Sequence, residues 1–128
     1  MVKKFLKITK KILAAVSVVI LFGGVTAFAY TNESGTFNEG EYGQYYFIVD
    51  SESGMRSCEA RAWGKSSCQY NVKLTTVFYD GQEVVNNTGF QYNNAYVSRS
   101  YEWAEDYQVY MAVRYNGEIR ADVSFSGS

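Results

Sequence analysis

Histidine is absent from this 128-residue chain, and so is proline. Without histidine, no Ser-His-Asp or Cys-His arrangement can be assembled, and a zinc site has no imidazole to complete it. Cysteine occurs twice, as Cys58 and Cys68, with no C-x-x-C spacing. Cations are scarce beyond the N-terminus. After Ala29 they number seven (Arg56, Arg61, Lys65, Lys73, Arg99, Arg114 and Arg120), against all 13 acidic residues. That portion carries a net −6, whereas the whole chain carries −1. Nucleic-acid binding needs clustered lysine and arginine to displace counterions, and there is no such cluster. Attraction to an anionic membrane is disfavoured for the same reason. A glycosidase needs two paired carboxylates, and the scattered acids single out no pair. The expectation is a protein that is not an enzyme, with no metal and no cofactor. A small hydrolase is the contrary reading.

What the chain does have begins with "MVKKFLKITKKILAAVSVVILFGGVTAFAY". Lys3, Lys4, Lys7, Lys10 and Lys11 form a basic head, and 18 uncharged residues follow from Ile12 to Ala29. Ala27 and Ala29 then place small residues at the two positions a signal peptidase reads. Residues 1–29 therefore predict a secretory signal peptide, cleaved to leave Tyr30 first. The alternative is an uncleaved membrane anchor over residues 12–29, because 18 apolar residues approach the length that spans a bilayer. Gly23 and Gly24 weaken the helix before the site and favour cleavage. No cysteine lies near the site to accept a lipid. The expected location is secreted and extracellular, with contact to a membrane only through an uncleaved segment.

Cleavage leaves 99 residues, enough for one domain with a modest core. They hold all 12 tyrosines, five phenylalanines and both tryptophans. Such aromatic richness argues against disorder and, with many Ser, Thr, Asn and Gly residues, favours short strands and tight turns. Residues 30–43, polar and Gly-rich, read as a flexible arm, and residues 44–128 as the domain. Period-2 alternation runs through segments 57–63, 67–79, 94–103, 106–115 and 118–125, while 44–50 is apolar on both faces, as a central strand would be, and 82–86 adds a further strand. Turn signals recur about every ten residues, as in sandwiches and small barrels. The fold class predicted is all-β: a small antiparallel β-sandwich of about seven strands after an N-terminal signal peptide helix.

Two corners share a pattern, "VFYDGQEV" and "VRYNGEIR". In the second, a two-residue Asn116-Gly117 loop sets Val113 opposite Arg120, which mixes apolar and charged faces. A three-residue loop, Tyr115-Asn116-Gly117, pairs Val113 with Ile119, Met111 with Ala121 and Arg114 with Glu118, and is the predicted register. In the first corner, a Tyr79-Asp80-Gly81 loop pairs Thr76 with Val84 and Phe78 with Gln82. Turn chemistry explains both motifs without a ligand.

Cys58 and Cys68 flank a plausible turn at Trp63-Gly64-Lys65, so a hairpin would set the sulfurs across from each other. One disulfide is the simplest reading for an exported chain. Glu102, Glu105 and Asp106 are the densest acidic group. They offer oxygen ligands for calcium but match no calcium loop, and a solvated bend is the plainer reading. Asn86-Asn87-Thr88 fits the glycosylation sequon. Tyr46, Trp63, Tyr96 and Tyr110 fall out of phase with the apolar sets. They read either as an exposed surface for sugars or proteins, or as rings buried within the sandwich.

A leader, a domain of short antiparallel strands and the C-terminal hairpin "YQVYMAVRYNGEIRADVSF" together resemble the lactococcin family of secreted, unmodified bacteriocins. The resemblance covers roughly the last half of the chain, as pattern. It implies a β-sandwich effector that interferes with cell-wall assembly. The chain departs from the family in lacking histidine, in its acidity, in its cysteine pair and in ending "SFSGS". No functional residue carries across. The function expected is a secreted, non-enzymatic binding protein acting at the cell envelope, as a bacteriocin-like effector. The alternatives are a carbohydrate- or envelope-binding surface module and a membrane-anchored extracellular domain. The partner is expected to be an extracellular or cell-envelope target: a protein, a glycan or a wall precursor.

Overall fold

The computed structural model describes residues 30–52 and 55–127. The segment expected to be a signal peptide, with Ala27 and Ala29, lies outside the described residues. Among those described, no helix is long and apolar enough to cross a membrane. Nine strands run in the order β1 (Tyr30–Thr36), β2 (Gln44–Glu52), β3 (Met55–Trp63), β4 (Gln69–Phe78), β5 (Glu83–Asn87), β6 (Gln91–Tyr92), β7 (Asn94–Tyr101), β8 (Ala104–Tyr115) and β9 (Glu118–Gly127). They form two antiparallel sheets, ordered β1-β2-β3-β7 and β5-β4-β8-β9, with the short β6 also paired to β4. The predicted small β-sandwich is therefore what the chain forms.

Alternation decides which face of each strand is dry. Phe47 and Val49 of β2, Cys58, Ala60 and Ala62 of β3, and Ala95 and Val97 of β7 are buried on the inner side of one sheet. Tyr70, Val72 and Leu74 of β4 and Tyr107, Val109, Met111 and Val113 of β8 are buried on the inner side of the other. The sizes are complementary. Three alanines on β3 and β7 leave room between the layers, and the facing sheet brings the bulkier Tyr70, Leu74, Tyr107 and Met111 into the same core. Full burial of an aliphatic or Phe side chain is worth about 1.5–3 kcal/mol, so this interior supplies the main driving force.

Four expectations need correction or refinement. Residues 30–36, read as part of a flexible arm, are β1, paired with β2 from Tyr30 opposite Asp50 to Thr36 opposite Gln44. An edge strand can be held by its backbone ladder with few apolar side chains, so "YTNESGT" shows no hydrophobic period. Beyond it a 3₁₀ turn spans Asn38–Gly40, flanked by the buried Phe37. This strand and the two-residue β6 are what raise the expected seven strands to nine.

The second correction concerns the C-terminal hairpin. Its loop has two residues, because Tyr115 lies opposite Glu118 and Arg114 opposite Ile119. Asn116 and Gly117 have φ of 56° and 79°, the left-handed pair of a type I′ turn. The register then shifts, so that Val113 faces Ala121, Met111 faces Val123 and Val109 faces Phe125. The extra residue is Arg120. A bulge next to the turn thus restores the dry face that a longer loop was expected to restore. At the other corner the expected register holds, with Thr76 opposite Val84 and the Phe78 N–H donating to the Gln82 carbonyl at 2.9 Å.

The third correction is the disulfide. Cys58 and Cys68 are both free and both buried. The segment between Trp63 and Gln69 is not a hairpin turn but the crossing from one sheet to the other. Cys68 sits at that crossing, just before β4, while Cys58 lies within β3, five residues and about 16 Å of strand before Trp63. A disulfide needs Cα atoms within about 7 Å.

The fourth concerns the sequon. Asn86 sits opposite Leu74 on the inward-facing side of β5, and its side-chain nitrogen is buried. Its carbonyl oxygen accepts from Arg99 Nε at 3.1 Å and Nη2 at 2.9 Å. The atom that a glycan would take is therefore shielded in the folded domain.

Candidate binding face

The outer surface of the β1-β2-β3-β7 sheet gathers most of the aromatic residues singled out above. Residue parity fixes this. Phe47, Ala60, Ala62, Ala95 and Val97 point inward, so Tyr46, Arg61, Trp63 and Tyr96 point outward. Register then aligns them across the sheet. Tyr46 lies opposite Arg61, and Arg61 lies opposite Tyr96. The next row holds Gln44, Trp63 and Asn94, and the row on the other side holds Ile48, Glu59 and Ser98.

Side chains knit these rows together. The Tyr46 and Trp63 rings meet edge to face with centroids 5.6 Å apart. The Arg61 guanidinium lies over the Trp63 ring at 4.4 Å from its centroid, a cation–π contact that holds both planes. Arg61 Nε donates to Asn94 Oδ1 at 2.6 Å. The Tyr46 hydroxyl donates to Glu59 Oε1 at 3.2 Å. Burial, and then the neighbouring Glu59 carboxylate, raise the Tyr46 hydroxyl above its ordinary pKa, so it stays a donor across the physiological range. Tyr96 is 45% exposed and presents its ring to solvent, while Tyr46 and Trp63 are half-buried.

Of the four aromatics chosen from phase alone, Tyr46, Trp63 and Tyr96 thus converge. Tyr110 does not. It lies on the outer face of the other sheet, between Lys73 and Ser124, and its hydroxyl donates to Asp122 Oδ2 at 3.1 Å. Burial, and then that carboxylate, raise its pKa also. The polar partners Glu59, Arg61 and Asn94 were not selected from sequence. The phase of "SCEARAW" places Glu59 and Arg61 opposite the cysteine and alanines, which is the signal that could have found them.

The acidic group is dispersed differently. Glu102 and Trp103 form the turn between β7 and β8, Glu105 is exposed at the start of β8, and Asp106 is half-buried opposite Val77.

The face can do three things chemically. A rigid strand lattice holds aromatic planes at fixed spacing, the guanidinium and Asn94 supply hydrogen-bonding edges, and Glu59 supplies an acceptor. No protein-family model matches the chain, and no curated protein matches it in sequence. Among solved structures, a Bacteroides fragilis protein assigned as a beta-galactosidase aligns with 64% of this chain at 12% identity and a TM-score of 0.36. The aligned region spans 15% of that protein's length.

Proposed function

We propose that this is a secreted, non-enzymatic binding protein that recognises carbohydrate at or outside the cell envelope. The observation that carries the reading is the in-register row Tyr46–Arg61–Tyr96, with Trp63 locked beside it. Sugar rings offer an apolar C–H face and a rim of hydroxyls. Aromatic planes receive the face, while groups such as Arg61, Asn94 and Glu59 receive the rim. The lattice is preorganised, since the Trp63 ring is already clamped by Arg61 and Tyr46, so little ordering cost remains on binding. A sandwich fold by itself does not choose between an effector and a surface module. The face favours glycan recognition as the common first step.

The test is a glycan array that includes cell-wall fragments, followed by affinity measurements on the glycan retained. Tyr96→Ala should weaken binding about tenfold, or about 1.4 kcal/mol, with the melting temperature little changed. Tyr110→Ala should leave affinity intact. Absence of any retained glycan, or equal binding by Tyr96→Ala and the parent protein, would remove the proposal.

A further inference from the structure

A second surface lies at the opposite end of the sandwich from the Trp63 row. There the β4–β5 corner and the β7–β8 turn meet. The Tyr79 N–H donates to the Trp103 carbonyl at 3.2 Å, which fixes the two residues side by side. Their side chains are 61% and 69% exposed, and Trp103 is the more exposed of the two tryptophans. Below them the rings of Phe78 and Tyr101 pack edge to face at 5.1 Å, so the tip stands on a firm base. A large apolar ring left exposed to water on an anchored main chain is what an unfilled recognition anchor looks like.

The surrounding charge says what the anchor fits. Asp80, Glu83, Glu102 and Glu105 are exposed on these same two turns and the strand ends beside them. Asp80 Oδ1 accepts from the Gln82 N–H at 3.0 Å, which orients it at the corner. Arg56 lies at this end with its guanidinium directed to the Glu105 backbone carbonyl at 2.7 Å, and Arg99, two residues before the end of β7, is engaged with Asn86 Oδ1. Two exposed aromatic rings on turns that also carry four exposed carboxylates attract cations by ring quadrupole and by field together. We infer that the Tyr79–Trp103 tip is a docking site for a protein partner's segment bearing lysine or arginine side chains. This site is independent of the glycan-binding face. It would let the protein hold a basic partner at one end while the aromatic row at the other remains open.

The probe is a hexa-arginine peptide, with hexaglutamate as control, followed in ¹H–¹⁵N spectra through the two indole N–H signals. The Trp103 indole should shift on adding hexa-arginine while the Trp63 indole stays in place, and hexaglutamate should move neither. Trp103→Ala and Tyr79→Ser should each weaken the interaction two- to fivefold, the range set by an exposed cation–π contact. Glu102→Gln with Glu105→Gln should weaken it further, and added salt should do the same. Glu39→Gln with Glu41→Gln removes the same charge at the far end and should change nothing. Equal weakening by both charge variants would reduce the effect to net charge and overturn the site. So would a Trp103 signal that fails to move, or one that responds to neutral oligosaccharides and not to the peptide.

Discussion

The hydroxyl of Tyr70 donates to the backbone carbonyl of Tyr42 at 2.8 Å. The same oxygen accepts the Lys65 N–H at 2.9 Å. One buried phenol thus ties the loop before β2 to the crossing between the sheets. Tyr70→Phe keeps the ring and deletes both bonds, leaving a carbonyl and an N–H without their partner. Loss of stability of about 2 kcal/mol is expected from two such bonds, read as a lower urea midpoint with an unchanged slope.

That phenol also makes stability pH-dependent. Burial is the main cause that pushes the Tyr70 pKa up from 10.0 to about 12, and burial raises Tyr107 also. Below about pH 10 both folded and unfolded chains keep the Tyr70 proton, so it introduces no slope. Between about pH 10 and 12 the unfolded chain releases a proton that the folded protein retains, and stability falls as pH rises. Melting temperature followed across this window should be level and then decline. The decline should be shallower in Tyr70→Phe. An equal slope in the two proteins would assign the effect elsewhere.

Thiol chemistry should follow from Cys58 and Cys68 lying in a dry interior. Burial drives the Cys58 thiol well above its ordinary pKa, so little of it is ever the reactive thiolate. An alkylating reagent at mildly alkaline pH should leave the folded protein unlabelled. Unfolding in denaturant without any reductant should then expose two thiols per chain. Recovery of none would mean the cysteines are bridged.

Two glycines at positive φ should respond differently to alanine. Gly117, at the hairpin tip, has open space around an added Cβ, so Gly117→Ala should cost only the backbone strain, about 1 kcal/mol. At Gly43, with φ of +108°, the added Cβ would sit 2.5 Å from both the Trp63 carbonyl oxygen and the Tyr70 hydroxyl. Strain and steric conflict combine there, and Gly43→Ala should lose about 3 kcal/mol or more. Thermal melts of the two variants side by side decide the ranking.

Much of the sandwich was legible because its interior strands carry apolar side chains at every second position. β8 is the clearest case, with Tyr107, Val109, Met111 and Val113 all in phase and all buried. β1 was hidden because its pairing is made by backbone atoms, which have no signature in side-chain period. The hairpin register was misread because a bulge at Arg120 costs one residue and leaves parity intact, so two different ladders satisfy the same alternation. The cysteine pairing failed for a topological reason. Trp63-Gly64-Lys65 has the composition of a tight turn, but composition does not say whether the chain returns to its own sheet or passes to the next. All four surface aromatics were placed correctly in phase, Tyr110 on the other sheet, yet that Tyr46, Arg61 and Tyr96 share one row depends on register that brings β7, some thirty residues further on, beside β3.

The interleaving of the two sheets governs how the chain can acquire its shape. The first sheet takes β1, β2 and β3 and then waits for β7, while the second takes β4, β5 and β6 and waits for β8 and β9. Neither layer is encoded by one continuous stretch. A chain emerging N-terminus first can zip the β1-β2-β3 meander early, through neighbours in sequence. The central β4–β8 ladder closes only after the intervening residues 79–103 have been laid down, so the slow step of folding belongs to the second half. Until then the alanine-lined side of the meander faces water, and the half-made domain is at its most vulnerable to capture by proteases or by other copies of itself.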